Sequence, residues 1–364
     1  METHNNVRTY VFPDPNGDPR EVVKDYMLKM AEIEWTPSHD FVTDWKEGGD
    51  FNIGLRYQAG TVYSGVPYSR AQGDYDEFTS FLDFSKKVPV FTPNSPYYED
   101  MVGVHCSSSI NRSYQQLLDF PFSGSLRPCK ARGTMLELVG GLKRPSYDEW
   151  YCGDIKDLNS KNDIFEAYAK VGTGDILFKK LSTKSGHSRM VSLPAEVVRD
   201  EATGLIDGEK SFITTIEATN EFDQTRNDGV NTTWWIDHKY SFEKLYSTSF
   251  IPVTLTLFDS GVKPKDAHLF YEGENTPESV KGGVNGRIFS DFPIIFVRAK
   301  IENENGRTVR SAMIYILKKN YSVDLGGLNA ELSCGTLGSG KYRFSLECGI
   351  ARGRVELEYF EFII

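Results

Sequence analysis

With 364 residues, 39% of them hydrophobic and 25% charged, the chain has enough apolar material for a sizeable core, which excludes global disorder. It has room for two domains of about 100–200 residues each. A formal net charge of −10 argues against a nucleic-acid-coating or polybasic membrane-binding surface, because either needs clustered Lys and Arg. Five cysteines, Cys106, Cys129, Cys152, Cys334 and Cys348, show no CxxC spacing and give no disulfide framework, although a single Cys334–Cys348 bridge stays open.

The amino-terminal stretch has no basic n-region and no apolar h-region, so it does not read as a signal peptide. As the sequence stands the expected compartment is the cytoplasm, or the cell wall if a leader was removed. No apolar run reaches membrane-span length.

Asp18 and Pro19 start a helix, and Val22, Val23, Tyr26, Met27, Met30 and Ile33 follow at helical spacing until Pro37. A Gly- and Tyr-rich section ends in "YSGVPYSR" at 63–70. A second helix begins at Asp74, with Phe78, Phe81 and Leu82 on one face. A third, opening near Cys106, carries Ile110, Tyr114, Leu117 and Leu118. Past residue 170 the texture turns to strand: "GDILFKKL", "HSRMVSLPAEVV" and "KSFITTIEAT" are divided by turn residues. The polar segment 219–233 reads as a linker. Beyond it come "SFIPVTLTLF", "PIIFVRAKIE", "TVRSAMIYIL", "KYRFSLECGI" and "RVELEYFEFII". The expected fold class is α+β: a domain over 1–225 with helices on an antiparallel sheet, then an all-β sandwich over 235–364.

Two tempting motifs fail on their spacing. "GTLGSGKY" at 335–342 has Tyr342 where a P-loop needs Ser or Thr, and a strand pattern follows instead of a helix. "DLNSKND" at 157–163 places Lys161 at a calcium-ligand position and has no glutamate at the twelfth place. The six histidines show no paired metal-ligand spacing, so no metal or organic cofactor is expected.

Cys106 is the residue with chemistry. A cysteine at a helix N-terminus feels unpaired N–H groups and the positive end of the dipole, which favour thiolate. Alone, a cysteine is usually a packing residue, since cysteine is among the most often buried residue types. His187 heads a strand, and a hairpin folded about position 202 brings Glu217 beside it on the next strand, with Thr215 and Thr219 as alternatives if the register slips. A carboxylate there would hold the imidazole's tautomer and orientation.

These pieces resemble the NlpC/P60 papain-like cysteine peptidases over residues 20–225. The family's D-C-S-G segment is matched by His105-Cys106-Ser107-Ser108, its G-D-L-V-F-F and H-V-G-I-Y strands by "GDILFKK" and "HSRMV", and its third polar position by "TIEAT". "GVPYSR" supplies the upstream tyrosine, Tyr68. The resemblance implies that Cys106 attacks an amide carbonyl, His187 protonates the leaving amine and Glu217 orients His187. The Cys106 N–H and the Tyr68 hydroxyl would hold the oxyanion. His105, Ser107, Ser108 and Gly186 would line the substrate groove. The implied substrate is a bacterial cell-wall peptide, such as one with a D-glutamyl-diamino acid bond. The alternatives are a thiol-dependent acyltransferase and a catalytically inactive peptide- or glycan-binding protein on the same scaffold. Two departures stand out: His105 replaces an aspartate that often holds a substrate's amino terminus, and Ser108 replaces a glycine. The aromatic "YDEWYCG" at 147–153 either shapes the cleft or packs beneath it.

Overall fold

A computed structural model describes residues 7–47, 51–69, 73–92, 102–130, 133, 135–183, 186–261, 263–316 and 320–364. Arg70 and Leu317, which end two of the predicted segments, lie outside them. The protein is α+β and divides into two compact units: the described residues of 16–114 with 123–263, and those of 1–15 with 115–122 and 264–364.

In the first of these, helix α1 (Pro19–Glu32) is N-capped by Asp18, whose carboxylate accepts from Arg20 N–H, and buries Val22, Val23, Tyr26, Met27, Met30 and Ala31. Helix α2 (Tyr75–Ser80) is capped by Asp74. Helix α3 (Cys106–Tyr114) is shorter than its apolar pattern implied. Leu117 and Leu118 are buried beyond its end. Six strands form one antiparallel sheet: β1 (Leu136–Leu138), β2 (Ile176–Lys180), β3 (Gly186–Glu196), β4 (Phe212–Ala218), β5 (Trp234–Ser241) and β6 (Ile251–Leu255), in the order β5-β4-β3-β2-β6-β1. Helix α3 packs between α1 and the β3–β4 face. That placement explains its small buried side chains, Ser108, Ser109 and Ser113.

The "GD" before β2 fastens α1 to this sheet. Gly174 has φ +84°, and a Cβ there would meet Val23 and Phe258 at 2.9 and 3.0 Å. Asp175, buried, pairs with Arg20 at 2.9 Å and accepts the Gly172 N–H.

The second unit is a sandwich of two four-stranded antiparallel sheets. One runs 7–12, 267–272, 287–290, 322–324; the other 308–315, 294–303, 341–350, 353–363. Leu269, Tyr271 and Ile288 from one meet Val297, Ala299, Phe344 and Leu346 from the other in a single core. Lys341 of the P-loop look-alike opens a strand.

The expected domain boundary is corrected. Segment 219–233 is a connection within the first unit, because Asn231 and Thr232 pair with Tyr63 and Ser64, and β5 then returns beside β4. Strand β6, expected in the sandwich, pairs with β2, whereas 7–12 pairs with 267–272. Strand patterns report burial on a face, not which sheet supplies the partner. All five cysteines are free thiols. The calcium look-alike is a helix cap: Ser160 and Asp163 form a reciprocal capping box on the helix Lys161–Tyr168.

Candidate active site

Cys106 opens α3, and the residue before it caps the helix. The His105 carbonyl accepts the first helical bond, from Ser109 N–H at 3.0 Å. Its ring Nδ1 accepts the Ser108 N–H at 3.3 Å, while the Ser108 hydroxyl oxygen accepts the His105 N–H at 2.8 Å. This is a capping box with an imidazole in the usual place of a hydroxyl or carboxylate. Ser108, expected in the groove, is therefore spent on the cap and is 2% exposed. The Ser107 hydroxyl lies 3.3 Å from the same ring nitrogen.

Tyr68 is brought to the thiol by a short bridge of two chain segments. Tyr68 pairs with Val104, with Ser69 N–H donating to the Val104 carbonyl at 2.8 Å and Val104 N–H to the Pro67 carbonyl at 2.9 Å. Gly103 permits this approach, since a Cβ there would sit 2.4 Å from the Pro67 oxygen.

The sheet supplies the other side. On β3, His187 stands opposite Lys179 of β2. A direct His187–Glu217 pair would require Met190 opposite Thr214; the observed partner of Met190 is Ile216. The hairpin does turn at 200–205, but the Asp207–Ser211 turn lengthens one arm and two bulges between Val191 and Glu196 lengthen the other. The net slip of two residues preserves the face, so Glu217 lies level with Arg189 and reaches His187 on the diagonal. Glu217 is 2% exposed and accepts three donors: His187 Nε2, Arg189 Nε at 2.9 Å and the Tyr240 hydroxyl at 2.7 Å. The Arg189 guanidinium is held 3.8 Å from the Tyr240 ring centre and 4.2 Å from that of Phe250. Arg189 and Tyr240 were missed by sequence reasoning. Arg189 had a signal, being two residues from His187 and so on the same strand face. Tyr240 had none, because no strand was read over 234–241 and the residue fell in the range given to the other domain. Tyr240→Phe is expected to cost about 1.5–3 kcal/mol, the range for a hydrogen bond to a charged group, read as a lower urea midpoint.

The charges reinforce one another. Burial pushes the Cys106 thiol up, but hydrogen bonds with His105 and His187, together with the charge on His187, bring it down to about 5. Burial pushes His187 down, but the Cys106 sulfur and Glu217 carry it up to about 9. Burial pushes Glu217 up, and His187 and Arg189 overcome this to hold it at about 2. Across neutral pH the favoured state is therefore thiolate, imidazolium and carboxylate in line. With Nε2 of His187 engaged by Glu217, Nδ1 is the nitrogen left for the sulfur.

A cavity of about 620 Å³ opens over the thiol. Six of the eight residues singled out from the sequence line it: Tyr68, His105, Cys106, Ser107, Gly186 and His187. Glu217 sits behind His187, and Ser108 lies in the cap. Arg127, Lys179 and Lys180 add a basic wall, and Glu149, the one carboxylate lining it among the described residues, is paired with Arg127 at 2.6 Å. Within "YDEWYCG", Trp150 is fully buried and packs, while Glu149 and Tyr151 face the cavity. Among the described residues no group of three or more His, Cys, Asp or Glu side chains is placed to hold a metal ion. No family model matches the chain, and no curated protein matches it.

Proposed function

We propose that the protein is a cysteine hydrolase that cleaves an amide bond in a carboxylate-bearing peptide, on a papain-like scaffold of the NlpC/P60 type. The observation that carries this reading is the line Cys106–His187–Glu217, running from a helix N-terminus to a sheet at the floor of one cavity. The Cys106 thiolate adds to the amide carbonyl, and the Cys106 N–H with the Tyr68 hydroxyl receives the oxyanion. His187 delivers its proton to the departing amine, leaving a thioester and a neutral imidazole. That imidazole then takes a proton from water, whose oxygen adds to the thioester. Collapse releases the acid and returns the thiolate–imidazolium pair.

The basic wall suits an acidic peptide, and a bacterial cell-wall peptide with a D-glutamyl-diamino acid bond has that character. His105 stands where the family's aspartate often binds a free amino terminus, so peptides with blocked and free amino termini should be cleaved comparably. The deciding experiment is incubation with γ-D-glutamyl-diamino acid peptides of both kinds, followed by product mass. Two free halves support hydrolysis; an adduct with a second amine points to acyl transfer; intact peptide with every such substrate sinks the cell-wall assignment.

Lys179 is half-buried in the cavity wall beside His187. Lys179→Ala is expected to raise KM for an acidic peptide about five- to tenfold while changing kcat less than about twofold, because it removes binding common to ground and transition states. Steady-state kinetics at two ionic strengths would check it.

A further inference from the structure

We propose that His105 is a second catalytic imidazole, whose Nε2–H donates to the Cys106 sulfur and holds the thiolate whether or not His187 carries its proton. This rests on the cysteine-hydrolase reading of the site. Nδ1 of His105 accepts the Ser108 N–H, so within this cap the ring carries its proton on Nε2. The ring lines the cavity and is hydrogen-bonded to the thiol, as is His187. With Nδ1 committed to the helix end, Nε2–H is the ring's remaining polar group for the sulfur. The cap also fixes its aim, because the reciprocal Ser108 bond pins the backbone that carries it.

The chemical consequence falls on the step in which the sulfur regains its charge. When the second tetrahedral intermediate collapses, the sulfur leaves as thiolate while His187, which has taken a proton from water, stands beside it as imidazolium. The His105 Nε2–H is a second donor to that sulfur and moves no proton of its own, so no bond breaks at His105. A serine in its place would cap the helix equally well and offer the sulfur no such N–H. The cap and the donor roles are therefore separable.

The experiment is the pH dependence of Cys106 alkylation by iodoacetamide in the full chain, with the modified residue identified by peptide mass. The proteins compared are wild type, His105→Ser, His105→Asp, His187→Ala and the His105→Ser/His187→Ala double variant. Around the cavity, Tyr68, Arg127, Glu149, Tyr151, Lys179 and Lys180 are retained in all of them, as are Glu217 and Arg189 behind it. His105→Ser, cap intact by circular dichroism, should alkylate about tenfold more slowly than wild type at pH 6, because losing the donor raises the thiol and lowers its thiolate fraction. His105→Asp should be slower still, since a carboxylate beside the sulfur opposes its ionisation. His187→Ala should remain at least about tenfold faster than the double variant at pH 7. A His105→Ser profile that overlays wild type overturns the proposal and leaves His105 a helix cap. If wild-type Cys106 itself reacts no faster than in the urea-unfolded chain, the hydrolase reading falls as well. The two failures are thus distinct, and neither needs a substrate.

Discussion

Replacing Cys106 by alanine is expected to lower peptide hydrolysis by about 10⁴–10⁶-fold, the scale seen when a covalent nucleophile is removed. Stability should change little: the residue is half-buried at the first position of a helix, and alanine is the best helix former. The melting temperature of the variant should stay within about 2–4 °C of wild type, which separates lost chemistry from lost fold. The pH profile of the wild type follows from the same pair. The thiol is depressed to about 5, so activity should rise as pH passes 5 and the sulfur ionises. His187 is raised to about 9, so activity should fall as pH passes 9 and the leaving amine loses its proton donor. Measured kcat/KM should therefore form a broad plateau between those limits. A profile that peaks sharply near pH 7, or rises without limit in alkali, would contradict a preformed ion pair.

The second large effect lies at Glu217. Glu217→Ala removes the acceptor of three donors and leaves Arg189, only 14% exposed, without its carboxylate. Breaking a buried pair in this way costs about 3–5 kcal/mol. A urea titration should show it as a lower midpoint with an unchanged slope. The folded-state value is depressed, so the contribution of Glu217 is fully present above its ordinary value of 4.5 and is lost as pH falls through about 2. The stabilities of wild type and variant should accordingly converge in strong acid. Glu217→Gln keeps the shape and loses the charge. It is expected to lower kcat about 10–100-fold, less than the roughly 10²–10⁴-fold of His187→Ala, because the ring remains but its proton is held less firmly. The alkaline limb should move to lower pH, since the carboxylate is one of the groups that raise His187. Equal losses at Glu217 and Thr219 would mean that the diagonal contact is not the one that orients the ring.

Much of this site was legible because its signals are short-range. The caps at Asp18 and Asp74, the serine-rich start at Cys106 and the turn at 200–205 are set by interactions within a few residues, and local sequence shows such interactions directly. Pairing Glu217 with His187 succeeded for a narrower reason. The register was wrong by two residues, but a strand's side chains alternate with period two, so an even error leaves the same face toward the same neighbour. An odd slip would have offered Ile216 or Ala218 instead.

Residue type, spacing and local caps determined the helix starts, the strand faces and the placing of a cysteine, a histidine and a carboxylate within reach of one another. Tertiary structure alone decided the rest. Tyr240 became a partner of Glu217 because β5 returned to β4 across a connection that looks like a linker, and Arg189 because bulges and an extra turn set the β3–β4 register. Segment 7–12 joined a sheet 255 or more residues away in sequence, and β6 joined the sheet of β2. Ser108 turned from a groove residue into a cap because the ring of His105 folded back over the helix end. Each of these turns on which apolar faces could be buried together, a sum over distant segments that no local window contains.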